Sequence, residues 1–373
     1  MAKLRVGILF GGRSGEHEVS LVSAASVIEA LDPEKYEIIP IGITRSGRWL
    51  AGPGAYEAVM EDGNTRLDLE RYILPEAGKN ELTAPRPFVK PLPVDVIFPV
   101  LHGPFGEDGT IQGVLELADI PYVGAGVLGS AVGMDKDVHK RLLRDAGIPV
   151  VPFLAVRAGS AEKNIASVLA SIEDSIGFPC FVKPANLGSS VGISKVRTRD
   201  GLKPALGHAF EFDAKIIIEK AVPDAREIEC AVLGSENPLP SIPGEVIASN
   251  EFYDYDAKYV DGKSELKIPA PLDDDTTQHV RGLAVDVFTC LECEGMARVD
   301  FLLGDGDVFV NEINTIPGFT SISMYPKLFE ATGISYPELI DRLIQLAISR
   351  AERRRKLRRD YQPRRQWHKD RSE

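Results

Sequence analysis

The chain has 373 residues, 44% hydrophobic and 26% charged, the profile of an ordinary soluble globular protein long enough for two or three domains. Its net charge is −12, but residues 351–373 hold ten Lys/Arg against four Asp/Glu, so this tail carries +6 and the other 350 residues −18. An acidic body argues against nucleic acid as the main partner, because phosphate neutralisation supplies most of such affinity, and the tail reads as a solvated, disordered end.

No apolar segment is long enough to span a bilayer and the first residues show no signal-peptide core, which predicts no membrane insertion. Four cysteines do not make a disulfide framework. Cys290 and Cys293 have a C-x-x-C spacing without the second pair a zinc site needs. They read as core or surface thiols in a helix between Val280 and Glu294, and a reducing cytoplasm suits them.

In chain order, Val6–Phe10 is a continuous apolar run ending in Gly11-Gly12, the pattern of a buried parallel strand entering a tight turn. A helix is expected from about Glu16 to Leu31, then strands at Tyr36–Ile43 and Val94–Pro99. Residues 44–93 between them read as an irregular excursion or hairpin. Helices are expected at Thr110–Ala118 and Lys136–Ala146. The alternation over residues 1–135 predicts a small doubly wound α/β domain. A second unit, 136–226, has strands at Pro179–Lys183, Gly192–Val196 and Lys215–Lys220 and a helix near 199–212. A third, 227–350, has a strand near 227–233 and ends in a helix. Ser335 and Glu338 predict a capping box there, with Pro337 in the first turn. Tyr336, Leu339, Ile340, Leu343, Ile344 and Ala347 then follow at helical spacing.

Chemistry gathers in four places. Residues 298–314 form two short apolar strands around Gly304-Asp305-Gly306, a hairpin that brings Asp300 near Glu312 and Asn314. Three hard oxygen ligands suit Mg²⁺, though a solvated hairpin with polar ends has the same pattern. Gly188-Ser189-Ser190-Val191-Gly192 is either a plain hairpin turn or an anion-binding concavity of backbone N–H groups; it is not a P-loop. Lys183 and Lys220 each close a buried strand, where an ammonium is costly without an anionic partner, and Glu219 beside them offers an acceptor for an amine or sugar hydroxyl. The turns Gly11–Ser20 and His102–Gly109 follow the first and third strands, where open α/β sheets bind ligands. Glu16 there either complements a helix dipole or holds an ammonium. His102 is either an ordinary loop histidine or one that orients a substrate or relays a proton. A dinucleotide-dependent dehydrogenase is a rival reading of the first turn, against which the missing G-x-G-x-x-G spacing speaks.

Taken together, these pieces resemble the D-alanine–D-alanine ligases of the ATP-grasp superfamily over about residues 4–350. The matching motifs are Phe10–Ser20, Leu101–Gly109, Met134-Asp135-Lys136, Lys183–Gly192, Phe252–Tyr259, Arg298-Val299-Asp300 and Asn311–Ser321.

The resemblance implies a three-lobed architecture, α/β in the N-terminal half and α+β in the C-terminal half, with an N-terminal doubly wound parallel sheet. It implies ATP gripped by Lys136, Lys183 and Lys220, with Glu219, Val222 and Glu227 forming the adenosine pocket. Asp300, Glu312 and Asn314 would hold two Mg²⁺ (or Mn²⁺) ions. The reaction implied is attack of one D-alanine carboxylate on the γ-phosphate, then displacement of phosphate from the acyl phosphate by a second D-alanine's amine. Glu16 would hold the first ammonium, supported by His102, Ser189 and Tyr259. Arg298 and the Gly318 N–H would clamp the tetrahedral oxyanion. Ser323, Met324 and Val19 would contact substrate. Residues 250–261, with Lys258 and Tyr259, look like a lid that excludes water. The family implies a homodimer, and D-lactate or D-serine as the second substrate is the nearest alternative. A nucleotide-binding protein that has lost catalysis is another, although Arg298, Asp300, Glu312 and Asn314 are all present.

Overall fold

The computed structural model describes residues 2–61, 93–247, 265–320 and 322–358. Strand β1 (Leu4–Gly11) is buried from Val6 onward, as a run without polar alternation requires. Helix α1 (His17–Ala30) leads to β2 (Tyr36–Ile43), which pairs parallel with β1, Leu4 opposite Tyr36. Next come β3 (Trp49–Ala51), folded back antiparallel on β2, and helix α2 (Ala55–Met60). The irregular excursion expected over 44–93 therefore opens with regular structure; its remainder, 62–92, lies outside the described residues. Strand β4 (Val96–Pro99) joins β1 in parallel, giving the order β3-β2-β1-β4, and α3 (Thr110–Leu117) and α4 (Val127–Met134) follow.

Asp135 caps α5 (Lys136–Asp145), its carboxylate accepting the Val138 N–H at 3.0 Å. The chain continues through β5 (Phe153–Arg157), α6 (Ala158–Lys163), α7 (Ile165–Ser175), β6 (Cys180–Pro184) and β7 (Ser194–Val196). A 3₁₀ turn, Arg199–Gly201, then precedes α8 (Leu202–Phe210) where one helix was expected, and β8 (Lys215–Lys220) ends the unit. The four strands form an antiparallel sheet, β5-β8-β6-β7, over a core drawn wholly from this segment, including Ile172, Val182, Leu202 and Ile218.

The last unit holds β9 (Arg226–Gly234), β10 (Leu239–Pro240), β11 (Gly244–Ile247), β12 (Glu265–Lys267) and α9 (Asp274–Cys290). It ends with β13 (Gly295–Gly304), β14 (Asp307–Asn314), α10 (Met324–Ala331) and α11 (Tyr336–Arg355). Its six strands make one antiparallel sheet. Helix α9 stops at Cys290, so Cys293 lies past it, and all four cysteines are free.

Two expectations about α11 are corrected. Ser335 occupies the N-cap but its side chain makes no capping bond, and Glu338, which would complete the box, is drawn to Arg342 one turn on, at 2.6 Å. The helix also runs through Arg355, so the start of the basic tail is ordered. Arg353 reaches Glu294 at 3.1 Å, Arg355 reaches Asp119 at 3.2 Å, and Arg354 pairs with Glu116. Residues 359–373 lie outside the described residues.

The N-terminal sheet does not own its core. On one face, Phe10 and Phe98 pack with Phe319, Tyr325 and the α11 residues Leu339 and Leu343; Phe98 and Phe319 meet edge-on at 5.5 Å. On the other face Leu9, Ile41 and Ile97 pack with Ile111 and Leu115 of α3. Among the described residues no helix is long and apolar enough to cross a membrane.

Candidate active site

A cleft of about 370 Å³ is lined by residues of the β5–β8 sheet on one side and of β9, β13 and β14 on the other. Register places Glu229 of β9, Asp300 of β13 and Glu312 of β14 in one row across three adjacent strands, so the three carboxylates share a face. Like charges directly opposite are destabilising, and the row requires cations. Arg298 grips both Asp300 oxygens at 2.7 Å and Glu229 at 2.9 Å. Burial opposes its charge, but Asp300 and Glu229 outweigh that and raise its pKa. Lys136 reaches Glu312 at 3.0 Å. Asn314, opposite Arg298, donates to Asp300 at 2.9 Å.

The pairing of β13 with β14 slips after Asp300: Asp300 faces Glu312, yet Phe301 faces Val310. Asn311 is thus the extra residue of a β-bulge, which re-aims its side chain. Asn311 and Glu312 both line the cleft, where consecutive residues of a regular strand would point apart. Sequence spacing had brought Asp300, Glu312 and Asn314 together; the bulge has no sequence signal of its own.

Opposite the acids, Lys183 reaches Glu219 at 2.6 Å and donates to Asn311 Oδ1 at 3.3 Å. Glu219 lines the cleft too, with one oxygen at Lys183 and the other 2.9 Å from Lys140. Burial would raise this carboxyl, but the two ammonium groups prevail and hold it at about 2. Lys140 was not singled out in the sequence. Lys220 is exposed and, with Val222 and Glu227, lines the same cleft.

The N-terminal turns meet the Gly/Ser loop from the other side. Ser189 Oγ donates to Glu16, and Ser189 and Ser190 both hold positive φ, 52° and 58°, in a backbone conformation L residues seldom adopt. Glu16 is 9% exposed at the start of α1, with Val19 buried one turn on. Gly103, at φ +72°, stands so close that a Cβ there would lie 2.7 Å from Glu16 Oε2. His102 is buried between Ser23 Oγ at 3.2 Å and the Ile316 carbonyl at 3.0 Å, and burial lowers its pKa. With both ring nitrogens so engaged, the imidazole ties α1 to the Ile316 loop.

Glu107, missed within its own motif, accepts the N–H groups of Gly103 at 2.7 Å and Ile316 at 3.2 Å, which links the same two loops. Burial, then the nearby Glu16, push its carboxyl up to about 8.

Past the hairpin, Gly318 lies against Ser323: a Cβ on the glycine would come within 2.8 Å of Ser323 Oγ. That hydroxyl accepts the Thr320 N–H at 3.0 Å. Met324 is buried in the shared core near Tyr325 and Leu328. Lys258 and Tyr259, with the lid expected around them, lie outside the described residues.

Comparison with known proteins bears on the same arrangement. Residues 5–125 match the family described as D-ala D-ala ligase N-terminus, and residues 142–345 the D-ala D-ala ligase C-terminus. A D-alanine--D-alanine ligase of Natranaerobius thermophilus is 49% identical over 354 residues, covering 94% of this chain and 97% of that protein. One from Thermoanaerobacter sp. is 51% identical over 361 residues, covering 93% and 97%. Among solved structures, the D-alanine-D-alanine ligase from Coxiella burnetii superposes with a TM-score of 0.80 at 37% identity, covering 95% of this chain and 97% of that one. A D-Ala:D-Ser ligase from Enterococcus faecalis gives 0.81 at 36%, covering 93% and 100%. Likeness of this extent, over both halves of the chain, places it in the D-alanine–D-alanine ligase family.

Proposed function

We propose that the chain joins two D-alanines at the expense of ATP, a cytoplasmic step supplying the dipeptide for peptidoglycan. The observation that carries this reading is the convergence, in one cleft, of the Glu229–Asp300–Glu312 row with Lys136 and Lys183, while Arg298 pairs with two of its acids. Residues 136–226 and 227–350 would grip the nucleotide, with residues 1–135 on the first-substrate side.

Phosphoryl transfer needs positioning and charge neutralisation more than covalent help. Lys136, Lys183 and Lys220 supply positive charge for the phosphates, and Val222 and Glu227 stand at the adenosine end. Glu16, backed by Ser189, holds the ammonium of the first D-alanine and so aims its carboxylate at the γ-phosphate. Attack there forms the acyl phosphate and releases ADP. The second D-alanine's amine then attacks the acyl carbon, and the C–O bond to phosphate breaks. Arg298 and the Gly318 N–H stabilise the tetrahedral oxyanion between those events. Ser323 stands where the second carboxylate would be received.

Asp300, Glu312 and Asn314 fit a magnesium site. All three offer hard oxygens, and both acids already take cationic partners. Magnesium is usually held by one or two carboxylates, with substrate phosphates and water completing the octahedron. When bound, magnesium would neutralise charge on the transferring phosphoryl group.

The test is phosphate release from ATP with D-alanine, L-alanine, D-serine and D-lactate, alone and in pairs, with products identified by mass. Release with D-alanine alone, giving the dipeptide, is expected. A D-alanine reaction that proceeds only when D-serine or D-lactate is added would favour the alternative, and no D-amino-acid-dependent release would overturn both.

A further inference from the structure

Helix α5 offers two ammonium groups one turn apart on one face, Lys136 and Lys140. The first lines the cleft. The second does not: its side chain is 0% exposed, its Nζ lies 2.9 Å from Glu219 Oε1, and it donates to the Val310 carbonyl at 3.4 Å. Lys140 cannot touch a nucleotide, so whatever it does for one passes through Glu219. That carboxylate also holds Lys183, which does line the cleft. Two cations therefore share one acid, so the trio of Lys140, Lys183 and Glu219 keeps one surplus positive charge, on which Glu312 and Glu227 act from farther off.

A buried ammonium is a poor device for stability, since apolar side chains of similar volume commonly replace buried ion pairs at no loss. Without it, however, Glu219 would neutralise Lys183 one for one. We infer that Lys140 is a positioning residue for the phosphates of the nucleotide: it occupies one oxygen of Glu219 and so leaves the Lys183 charge available to the cleft. This rests on the ATP reading above.

The test is binding of AMP, ADP and ATP to the full chain and to Lys140→Met, by calorimetry in magnesium buffer at fixed ionic strength. A lost charge weakens ligands in proportion to their phosphates, whereas a damaged pocket weakens all three alike. Affinity should fall less than about threefold for AMP and on the order of tenfold or more for ATP, ADP lying between. The double variant Lys140→Met/Glu219→Gln restores the surplus charge, so its ATP-to-AMP affinity ratio should return to within about threefold of wild type. Equal factors for all three ligands, no loss for ATP, or a double variant as poor as the single one would overturn the inference. If Lys140→Met alone does not fold, the double variant decides by the same ratio. A wild-type chain that binds none of the three would instead remove the ATP reading itself.

Discussion

Arg298→Ala separates a transition-state role from a binding role. The guanidinium makes contacts of 2.7 Å to each Asp300 oxygen and 2.9 Å to Glu229, with the three side chains 16%, 14% and 7% exposed. Removing it leaves two buried carboxylates facing each other across β9 and β13, next to Glu312. Breaking a buried ion pair from one side costs about 3–5 kcal/mol, so the urea midpoint should fall clearly in EDTA. With magnesium and ATP the fall should be smaller, because a cation then replaces the guanidinium beside Asp300. Turnover is affected differently. Loss of one donor to a developing oxyanion costs about 10²–10³ in kcat, while the KM for ATP should stay within about threefold, since the lysines hold the phosphates. Steady-state phosphate release at saturating D-alanine measures both constants. Equal losses in kcat and ATP affinity, or near-normal turnover, would refute the assignment.

Glu312→Gln, which removes the carboxylate facing both Asp300 and Lys136, should abolish most phosphate release while the circular-dichroism spectrum stays native; normal turnover would contradict the metal role. Arg350 is 5% exposed and donates to the carbonyls of Tyr122 at 2.7 Å and Gly124 at 2.5 Å, its guanidinium 4.3 Å above the Tyr122 ring. Arg350→Met orphans both carbonyls and should cost about 3–5 kcal/mol in urea titration; a loss under about 1 kcal/mol would show that water takes them over. His139 is wholly buried, and burial, with Lys140 and Lys136 nearby, lowers its pKa to about 3. The unfolded imidazole binds its proton below about 6.5 and the folded one does not, so this group lowers stability as pH falls. Between about pH 7 and pH 5 the loss should be about 2 kcal/mol, and His139→Gln should lose that much less than wild type over the same interval.

Much of the scaffold was written locally. The continuous apolar run at Val6–Phe10 and the isoleucines of Lys215–Lys220 fixed their strands, and period-two spacing across Gly304–Gly306 put Asp300 with Glu312. Short elements such as β3 and α2 escaped because three to six residues give no periodicity to read. Register was harder: the slip that exposes Asn311 depends on the partner strand. Lys140 escaped notice because it meets Glu219 from 79 residues away, and contacts at that range leave no pattern in a single chain. Met324 was named by motif alone, and its burial in the shared core could not be read from the sequence. The first residues of the tail looked solvated by charge, yet Arg353, Arg354 and Arg355 each find an acid on a neighbouring element.

The shared packing of Phe10 and Phe98 with Phe319, Tyr325 and Leu343 has a consequence for synthesis. A polypeptide leaving the ribosome makes the opening strands some 300 residues before the side chains that cover them. Until then α1 and α2 cover only part of that flank of the sheet, and the rest faces water or a chaperone. The middle segment, whose apolar partners are all its own, is free to fold on emergence. Nascent chains halted just short of α10 should therefore carry a protease-resistant centre flanked by a sensitive start.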